Sequence, residues 1–149
     1  MRSATKILLL ILCLPLGIMF MSTYNEELGY YVGQGTQEFD VRVINGFTSN
    51  SSLPLIIWCS SGDSTVDLGG RALQERDDFG WSLKTKLYSS SMFLCTMKWD
   101  AKRRKFDAFK APRDVRRCSP LRKCSWLVRE DGFYFSNDEV NWKKDFSWS

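Results

Sequence analysis

The amino-acid sequence predicts an all-β fold, an antiparallel β-sandwich of seven or eight short strands with two disulfides. Apolar and polar residues alternate in most segments, which is the period-two pattern of half-buried strands. Turn signals recur at roughly even spacing, as in sandwiches and small barrels. No helical stripe longer than two turns follows the N-terminal segment. A small barrel is the competing architecture.

The N-terminal segment is typical of a secretory signal peptide. Arg2 and Lys6 give it a positive start, and residues 7–21 form an apolar run without a charge. This run of about fifteen residues is shorter than the roughly 20 that a spanning helix needs. A retained membrane anchor is the alternative. We expect a signal peptide over 1–23, with cleavage within 20–26, a short extension over 24–38, and a domain over 39–149 that is secreted and extracellular.

The predicted strands follow from the alternation in chain order. Pro54 cannot donate a ladder hydrogen bond, so it belongs at the start or edge of the second strand. Asp131-Gly132 is a hairpin signal that leads into another strand. Strands are predicted over 39–44, 53–59, 81–87, 93–99, 124–128, 133–135 and 140–144.

The cysteines indicate two disulfides. Four of the five lie outside the leader, namely Cys59, Cys95, Cys118 and Cys124. An even number in an exported small domain favours bridges over unpaired thiols. A zinc site fits poorly because the chain has no histidine. The sequence does not choose among the three pairings, although a bridge between residues 118 and 124 would close a short loop and stabilise less. We expect no metal and no other cofactor.

Positive charge is concentrated in one stretch. Residues 98–123 hold eleven Lys and Arg against three Asp, a net charge of +8. Its densest part is the run Lys102, Arg103, Arg104 and Lys105. Such a stretch can steer an acidic partner or an anionic lipid surface toward the protein, or can simply form a solvated face. Nucleic acid is not expected as a partner, because the nearby aromatics alternate as core residues do and the protein is exported.

The sequence offers no enzyme active site. Without histidine, the side chain best suited to proton transfer near neutral pH is missing, and a histidine-based triad cannot be built. Asp63, Asp67, Asp77 and Asp78 lie in polar, loop-like stretches rather than as a carboxylate pair for glycoside hydrolysis. Asp63 and Asp67 also miss the calcium-loop pattern. We therefore expect a protein that is not an enzyme.

One N-glycosylation sequon is present. Asn50, Ser51 and Ser52 form it, in a Ser-rich loop over 48–52 between two predicted strands. An exposed loop of an exported protein is where a glycan is tolerated, so Asn50 is the predicted glycosylation site.

The landmarks of the chain occur in a defined order. They are Val41-Arg42-Val43-Ile44-Asn45, the strand over 55–59, Ser60-Ser61-Gly62-Asp63, Asp67-Leu68-Gly69, Phe79-Gly80-Trp81-Ser82-Leu83, Met92-Phe93-Leu94-Cys95, Trp99, Phe106-Asp107-Ala108-Phe109, Arg113-Asp114, Cys118, Cys124-Ser125-Trp126 and Asp131-Gly132. This ordered set resembles the plant self-incompatibility protein S1 family, the S-protein homologues.

The resemblance implies a small secreted plant β-sandwich. The best-understood members of that family are stigma ligands that a pollen membrane protein recognises, after which self pollen is inhibited. The chain departs from the family pattern at Trp58, where histidine is common, and in a thinned acidic loop at Asp63 and Asp67. The basic run over 102–105 is richer than the family pattern requires.

The leading hypothesis is a monomeric recognition ligand for a plasma-membrane receptor. The expected recognition surface lies on loops over 48–52, 60–67 and 100–105, including Asp63, Asp67 and the four cations of the basic run. The rival is a basic defence protein that acts on anionic membranes, with Trp142 and Trp148 as interfacial anchors. A third hypothesis, a carbohydrate-binding module that uses Trp142, depends on analogy of fold alone.

Overall fold

The computed structural model describes residues 35–50 and 52–148. The predicted signal peptide and all but the last residues of the predicted extension lie outside them, and both stay predictions. No helix in the described part of the chain is long and apolar enough to cross a membrane.

Two packed sheets form the domain, which confirms the predicted class. Over the described residues, a five-stranded sheet has the order β4-β1-β7-β8-β9, and a four-stranded sheet has the order β3-β2-β5-β6. The elements are β1 (Gln37–Asn45), β2 (Leu55–Ser61), β3 (Asp67–Leu73), β4 (Asp78–Thr85), β5 (Met92–Trp99), β6 (Lys102–Lys110), α1 (Arg113–Arg117), β7 (Lys123–Arg129), β8 (Gly132–Ser136) and β9 (Lys143–Phe146).

The sandwich departs from a purely antiparallel pattern at one pair of strands in the described residues. β1 and β7 run parallel, with Asp40 opposite Lys123 and Asn45 opposite Val128. Parallel neighbours require a crossover connection, because a hairpin turn reverses the chain. Between β1 and β7 the chain passes through the other sheet, and residues 111–122, which include α1, lead it from β6 to β7. The prediction of an antiparallel sandwich is therefore corrected at this pair.

Two strands were missing from the prediction. β3 contains Gly69 and Gly70, and Gly69 has φ +75° beside a register shift between Cys59 and Ser60. Glycine at such a bulge suits a positive φ. β6 was assigned in part to a loop, because the basic run hides its alternation. The remaining strands were placed within a few residues, and the last begins at Lys143 rather than residue 140.

The core lies between the sheets and is rich in aromatic side chains. Trp126 is 1% exposed, and its Nε1 donates a hydrogen bond to the carbonyl oxygen of Ala108 at 2.9 Å. Phe106 packs edge-on against Trp126 with ring centroids 5.0 Å apart. Such contacts add to the stabilisation from burial of apolar area. The bond across the sandwich satisfies the one polar atom of the Trp126 indole.

Both predicted disulfides are present, and the structure supplies the pairing. Cys59 is bonded to Cys95, directly opposite it on the neighbouring strand β5. Cys118, just after α1, is bonded to Cys124 at the start of β7. All four side chains are buried. The bridges therefore connect chain segments that are already close within the fold.

Candidate recognition surface

The basic run does not form one loop. Asp100 and Ala101 make a turn, and Lys102 begins the edge strand β6. Since side chains alternate across a strand, the four cations divide between two faces. Residues 100–105 are therefore a turn and the first half of a strand rather than a loop, and their role in recognition stays a prediction.

Two of the four cations, Lys102 and Arg104, contact aromatic rings of the protein. The Nζ atom of Lys102 donates to the carbonyl oxygen of Glu130 at 3.1 Å and lies 5.2 Å from the ring centroid of Trp99. The guanidinium of Arg104 lies 4.9 Å from the ring centroid of Phe146. Cations above aromatic rings are attracted by the ring quadrupole. Lys102 and Arg104 therefore help to close this side of the sandwich.

The other two cations lie on the outer side of the four-stranded sheet. Ile56 stands opposite Lys98, which stands opposite Arg103; Trp58 stands opposite Thr96, which stands opposite Lys105. We call this surface the Trp58 face and define it by six residues: Ile56, Trp58, Thr96, Lys98, Arg103 and Lys105. All of them except Lys105 line a shallow depression of about 340 Å³.

Apolar exposure is the unusual property of the Trp58 face. Trp58 is 57% exposed and Ile56 is 39% exposed, side by side on strand β2. A single exposed apolar side chain needs no explanation, whereas a neighbouring pair bordered by charge is typical of an interaction site. The Trp58 face is therefore the strongest candidate site in the described residues.

Neighbours on strand β3 fix the indole of Trp58 at two edges. Its Nε1 donates to Oδ1 of Asp67 at 3.3 Å. The opposite edge lies against Gly70, where a Cβ atom would be only 3.1 Å from Cε3 of Trp58. The same Oδ1 of Asp67 accepts the backbone N–H of Gly69 at 2.8 Å, which fixes the carboxylate. The ring is thus held in place before any partner binds.

Asp63, the other predicted acidic residue, stabilises a turn. Its Oδ1 accepts hydrogen bonds from the Ser61 hydroxyl at 2.6 Å, and from the Thr65 hydroxyl at 2.8 Å and backbone N–H at 3.1 Å. These bonds, first that from Ser61, lower the pKa of Asp63 to about 2. Among residues 35–50 and 52–148, no group of His, Cys, Asp and Glu is arranged to hold a metal ion.

Of the other predicted loops, residues 48–50 precede strand β2, whereas residues 60–67 comprise the end of β2, a turn and the first residue of β3. Asn50 is exposed, with φ 53°. The backbone N–H groups of Thr48 and Ser49 donate to Oε1 of Glu130 at 2.8 and 2.9 Å. Thr48 and Ser49 are therefore held beside the turn between β7 and β8. Glycosylation of Asn50 stays a prediction.

The C-terminal tryptophans differ from the predicted membrane anchors. Trp148 is half-buried, with its ring centroid 4.7 Å from that of Phe133 and its Nε1 bonded to the carbonyl oxygen of Arg129 at 2.8 Å. Trp142 is also half-buried. The prediction of Trp148 as an exposed anchor is therefore wrong, and Trp58 is the most exposed tryptophan among the described residues.

The alternation of strand β2 already indicated that Trp58 lies on the exposed face. Cys59 and Ile57 share the buried face, so Trp58 must point the other way. The prediction treated most aromatic residues as core by default. Trp58 was therefore noted only as a departure from the family pattern, not as a site residue.

The outer side of the five-stranded sheet contains a polar cluster with internal pairing. Arg42 donates to Asp78 at 2.9 Å and to Glu139 at 3.1 Å, and Glu139 accepts the hydroxyl of Ser125 at 2.8 Å. The bond to Asp78 is the main cause of the raised pKa of Arg42 and of the lowered pKa of Asp78. Since Arg42 is already paired with both carboxylates, this cluster is a weaker candidate than the Trp58 face.

Fold and surface together define a small disulfide-bonded β-sandwich with an aromatic and cationic outer face. Residues 40–148 match the model of the family described as plant self-incompatibility protein S1. The chain belongs to the plant self-incompatibility protein S1 family, as the resemblance indicated.

Several curated relatives come from Arabidopsis thaliana. S-protein homolog 6 is 34% identical over 79 residues, which cover 52% of this chain and 54% of the relative. S-protein homolog 5 is 30% identical over 79 residues, 53% of this chain and 58% of the relative. The matches thus span little more than half the length of these relatives.

A solved structure is also similar to the chain. It is an SPH (self-incompatibility protein homologue) structure from a widespread family of small, highly stable, secreted plant proteins. The TM-score is 0.49 at 21% identity, over 76% of this chain and 96% of that one.

Proposed function

We propose that the protein is a secreted, non-enzymatic recognition ligand that binds a receptor protein of the plasma membrane through the Trp58 face. The observation that carries this proposal is the exposed Trp58, held rigidly beside Ile56 and bordered by Lys98 and Arg103. Tryptophan and arginine are enriched among the residues that dominate protein–protein binding energy. The cations would also steer an acidic receptor surface toward this face.

Two further properties support secretion and a role without catalysis. The two disulfides suit an oxidising, extracellular environment, in agreement with the predicted signal peptide. The whole sequence contains no histidine, and its carboxylates near Trp58 or Arg42 make hydrogen bonds within the protein. A rigid sandwich that displays a fixed surface suits recognition better than chemistry.

A second candidate function is binding to anionic membranes. The same pair of exposed apolar side chains amid cations could contact a lipid surface. The half-buried state of Trp148 removes one of the expected anchors. The receptor is therefore the better-supported partner, and pure vesicles serve as the test of the alternative.

Binding of the labelled, oxidised protein to protoplasts of the tissue that faces its site of expression tests the proposal. We expect saturable binding that mild protease treatment of the cell surface abolishes. Trp58→Ala should weaken it by at least about tenfold, as for a central interface residue. Tyr88→Ala is the matched control, because Tyr88 is 78% exposed and lies outside the Trp58 face, between β4 and β5.

The same protoplast assay tests the contribution of the cations to receptor binding. The double variant Lys98→Glu/Lys105→Glu should slow association, whereas Lys84→Glu/Lys86→Glu, on and just after strand β4, should not. Binding that survives protease and equals binding to pure anionic vesicles would contradict the receptor proposal. That result would establish the membrane-active alternative instead.

A further inference from the structure

We propose that the Trp58 face is also a binding site for an acidic polysaccharide, a polyuronate whose pyranose rings carry carboxylates. This ligand is separate from the proposed receptor, and the site does not require that receptor. The inference depends on three features of the face: a fixed aromatic platform, a row of cations beside it, and an open shape.

The platform is the indole of Trp58. Asp67 holds its Nε1 and Gly70 supports the opposite edge, so the ring needs little ordering when a ligand arrives. The negative face of an aromatic ring attracts polarised C–H groups. A pyranose ring presents several C–H groups on one side, and therefore stacks on an exposed indole. An exposed ring that could swing freely would offer much less of this binding energy.

The cations beside the platform select an acidic sugar over a neutral one. Lys98 and Lys105 are exposed on strands β5 and β6, one opposite Ile56 and the other opposite Thr96 beside Trp58. Neighbouring strands lie about 4.8 Å apart, so each cation is one or two strands from the indole. Arg103 lines the same depression. A carboxylate on a stacked ring, or on the next ring of the polymer, would therefore meet a positive charge.

Among the described residues, no carboxylate forms a salt bridge with Lys98 or Lys105. The carboxylate of Asp67 accepts hydrogen bonds from the indole N–H of Trp58 and from the backbone N–H of Gly69. Asp107 also faces outward from β6, but it stands opposite Leu94, beyond Lys105. The charge complementarity is thus between the cations of the Trp58 face and an anionic ligand; a second copy of this chain would bring like charges together.

The open shape favours a polymer over an enclosed small molecule. The depression of about 340 Å³ crosses β2, β5 and β6 without walls that could enclose a ligand. Its size is at the small end of ligand sites, which suits a ring rather than a helix or a folded loop. A polymer can extend beyond it along the outer face of the sheet.

Calorimetry with purified polygalacturonate tests the inference without any receptor. We expect binding that weakens as salt rises, because the contacts are charged. Methyl-esterified polygalacturonate, which keeps the rings but loses the carboxylates, should bind at least about tenfold more weakly. A neutral glucan should bind as weakly as the ester, and poly-glutamate, which has carboxylates without rings, should bind weakly as well.

Variants assign the binding to the Trp58 face. Trp58→Ala should weaken polygalacturonate binding about tenfold or more, and Trp58→Phe should keep it within about threefold, since a ring remains. Lys98→Glu/Lys105→Glu should abolish it, whereas Tyr88→Ala and Lys84→Glu/Lys86→Glu should leave it unchanged. Circular dichroism confirms that each variant is folded.

Several results would overturn the inference. They are equal binding of the charged polymer and its ester, equal binding of poly-glutamate, or an affinity that Trp58→Ala does not change. Protoplasts lack the cell wall, so the protoplast assay tests the receptor alone. Calorimetry with purified polymer tests the polysaccharide site alone, and one proposal can therefore fail without the other. Loss of polymer binding with retained, protease-sensitive protoplast binding would leave the proposed function intact and remove only the polysaccharide site.

Discussion

At the scale of single residues, two tryptophans of this chain have opposite roles. Trp148 packs on Phe133 and donates to the carbonyl oxygen of Arg129, whereas Trp58 lies on the outer surface. We expect Trp148→Ala to lower the free energy of unfolding by about 2–3 kcal/mol, because it removes aromatic packing and a hydrogen bond. Trp58→Ala should change it by less than about 0.5 kcal/mol. Urea unfolding measures both, and a larger loss for Trp58 would contradict the assignment of Trp58 as a surface residue.

Asp63 gives a residue-scale prediction on pH. The folded pKa of about 2 lies below the ordinary value of 3.8, so the hydrogen bonds from Ser61 and Thr65 stabilise the turn above about pH 3.8. This contribution is lost as the pH falls through about 2. A carboxyl titration by NMR should show the low midpoint, and Ser61→Ala/Thr65→Val should raise it toward 3.8. Ser90→Ala serves as the control, and an ordinary midpoint in the unmodified protein would refute the turn network.

At the scale of elements, the hairpin between β7 and β8 depends on Gly132. Its φ is +150°, and a Cβ atom there would collide with the carbonyl oxygen of Phe146 and lie 3.1 Å from Cα of Ser147. Gly132→Ala should therefore displace β9 and cost about 3 kcal/mol of unfolding free energy. Gly62→Ala is the matched control, because only the flexible side chain of Met92 is near. Equal stability of the two variants would show that β9 tolerates the shift.

At the scale of the whole molecule, the two disulfides should contribute unequally. Cys59–Cys95 spans 36 residues and Cys118–Cys124 spans 6. If restriction of the unfolded chain dominates, their removal costs about 4 and about 2 kcal/mol respectively. Double Cys→Ala variants compared by urea unfolding measure the difference. A larger loss for the short bridge would mean that native packing around α1, rather than chain entropy, sets its contribution.

Much of this architecture could be predicted from sequence because local pattern reports burial directly. Alternation along 39–44 and 93–99 placed two strands close to β1 and β5, and Asp131-Gly132 placed a hairpin. These features depend on period-two burial and on turn chemistry, which short segments specify alone. β3 and β6 were missed because glycine and a dense run of cations obscure that alternation. The recognition surface was missed for a related reason, since aromatic residues are core by default and Trp58 is an exception.

The sequence by itself determined that this is a disulfide-bonded β-sandwich without a histidine for catalysis, and it indicated the family. Composition, alternation and the even cysteine count are properties of the chain alone. The tertiary structure decided which cysteines are paired, that β1 and β7 run parallel, and that Trp58, Lys98 and Lys105 share one face. These facts depend on which distant strands become neighbours. That choice is made by packing of the whole core, which no short segment encodes.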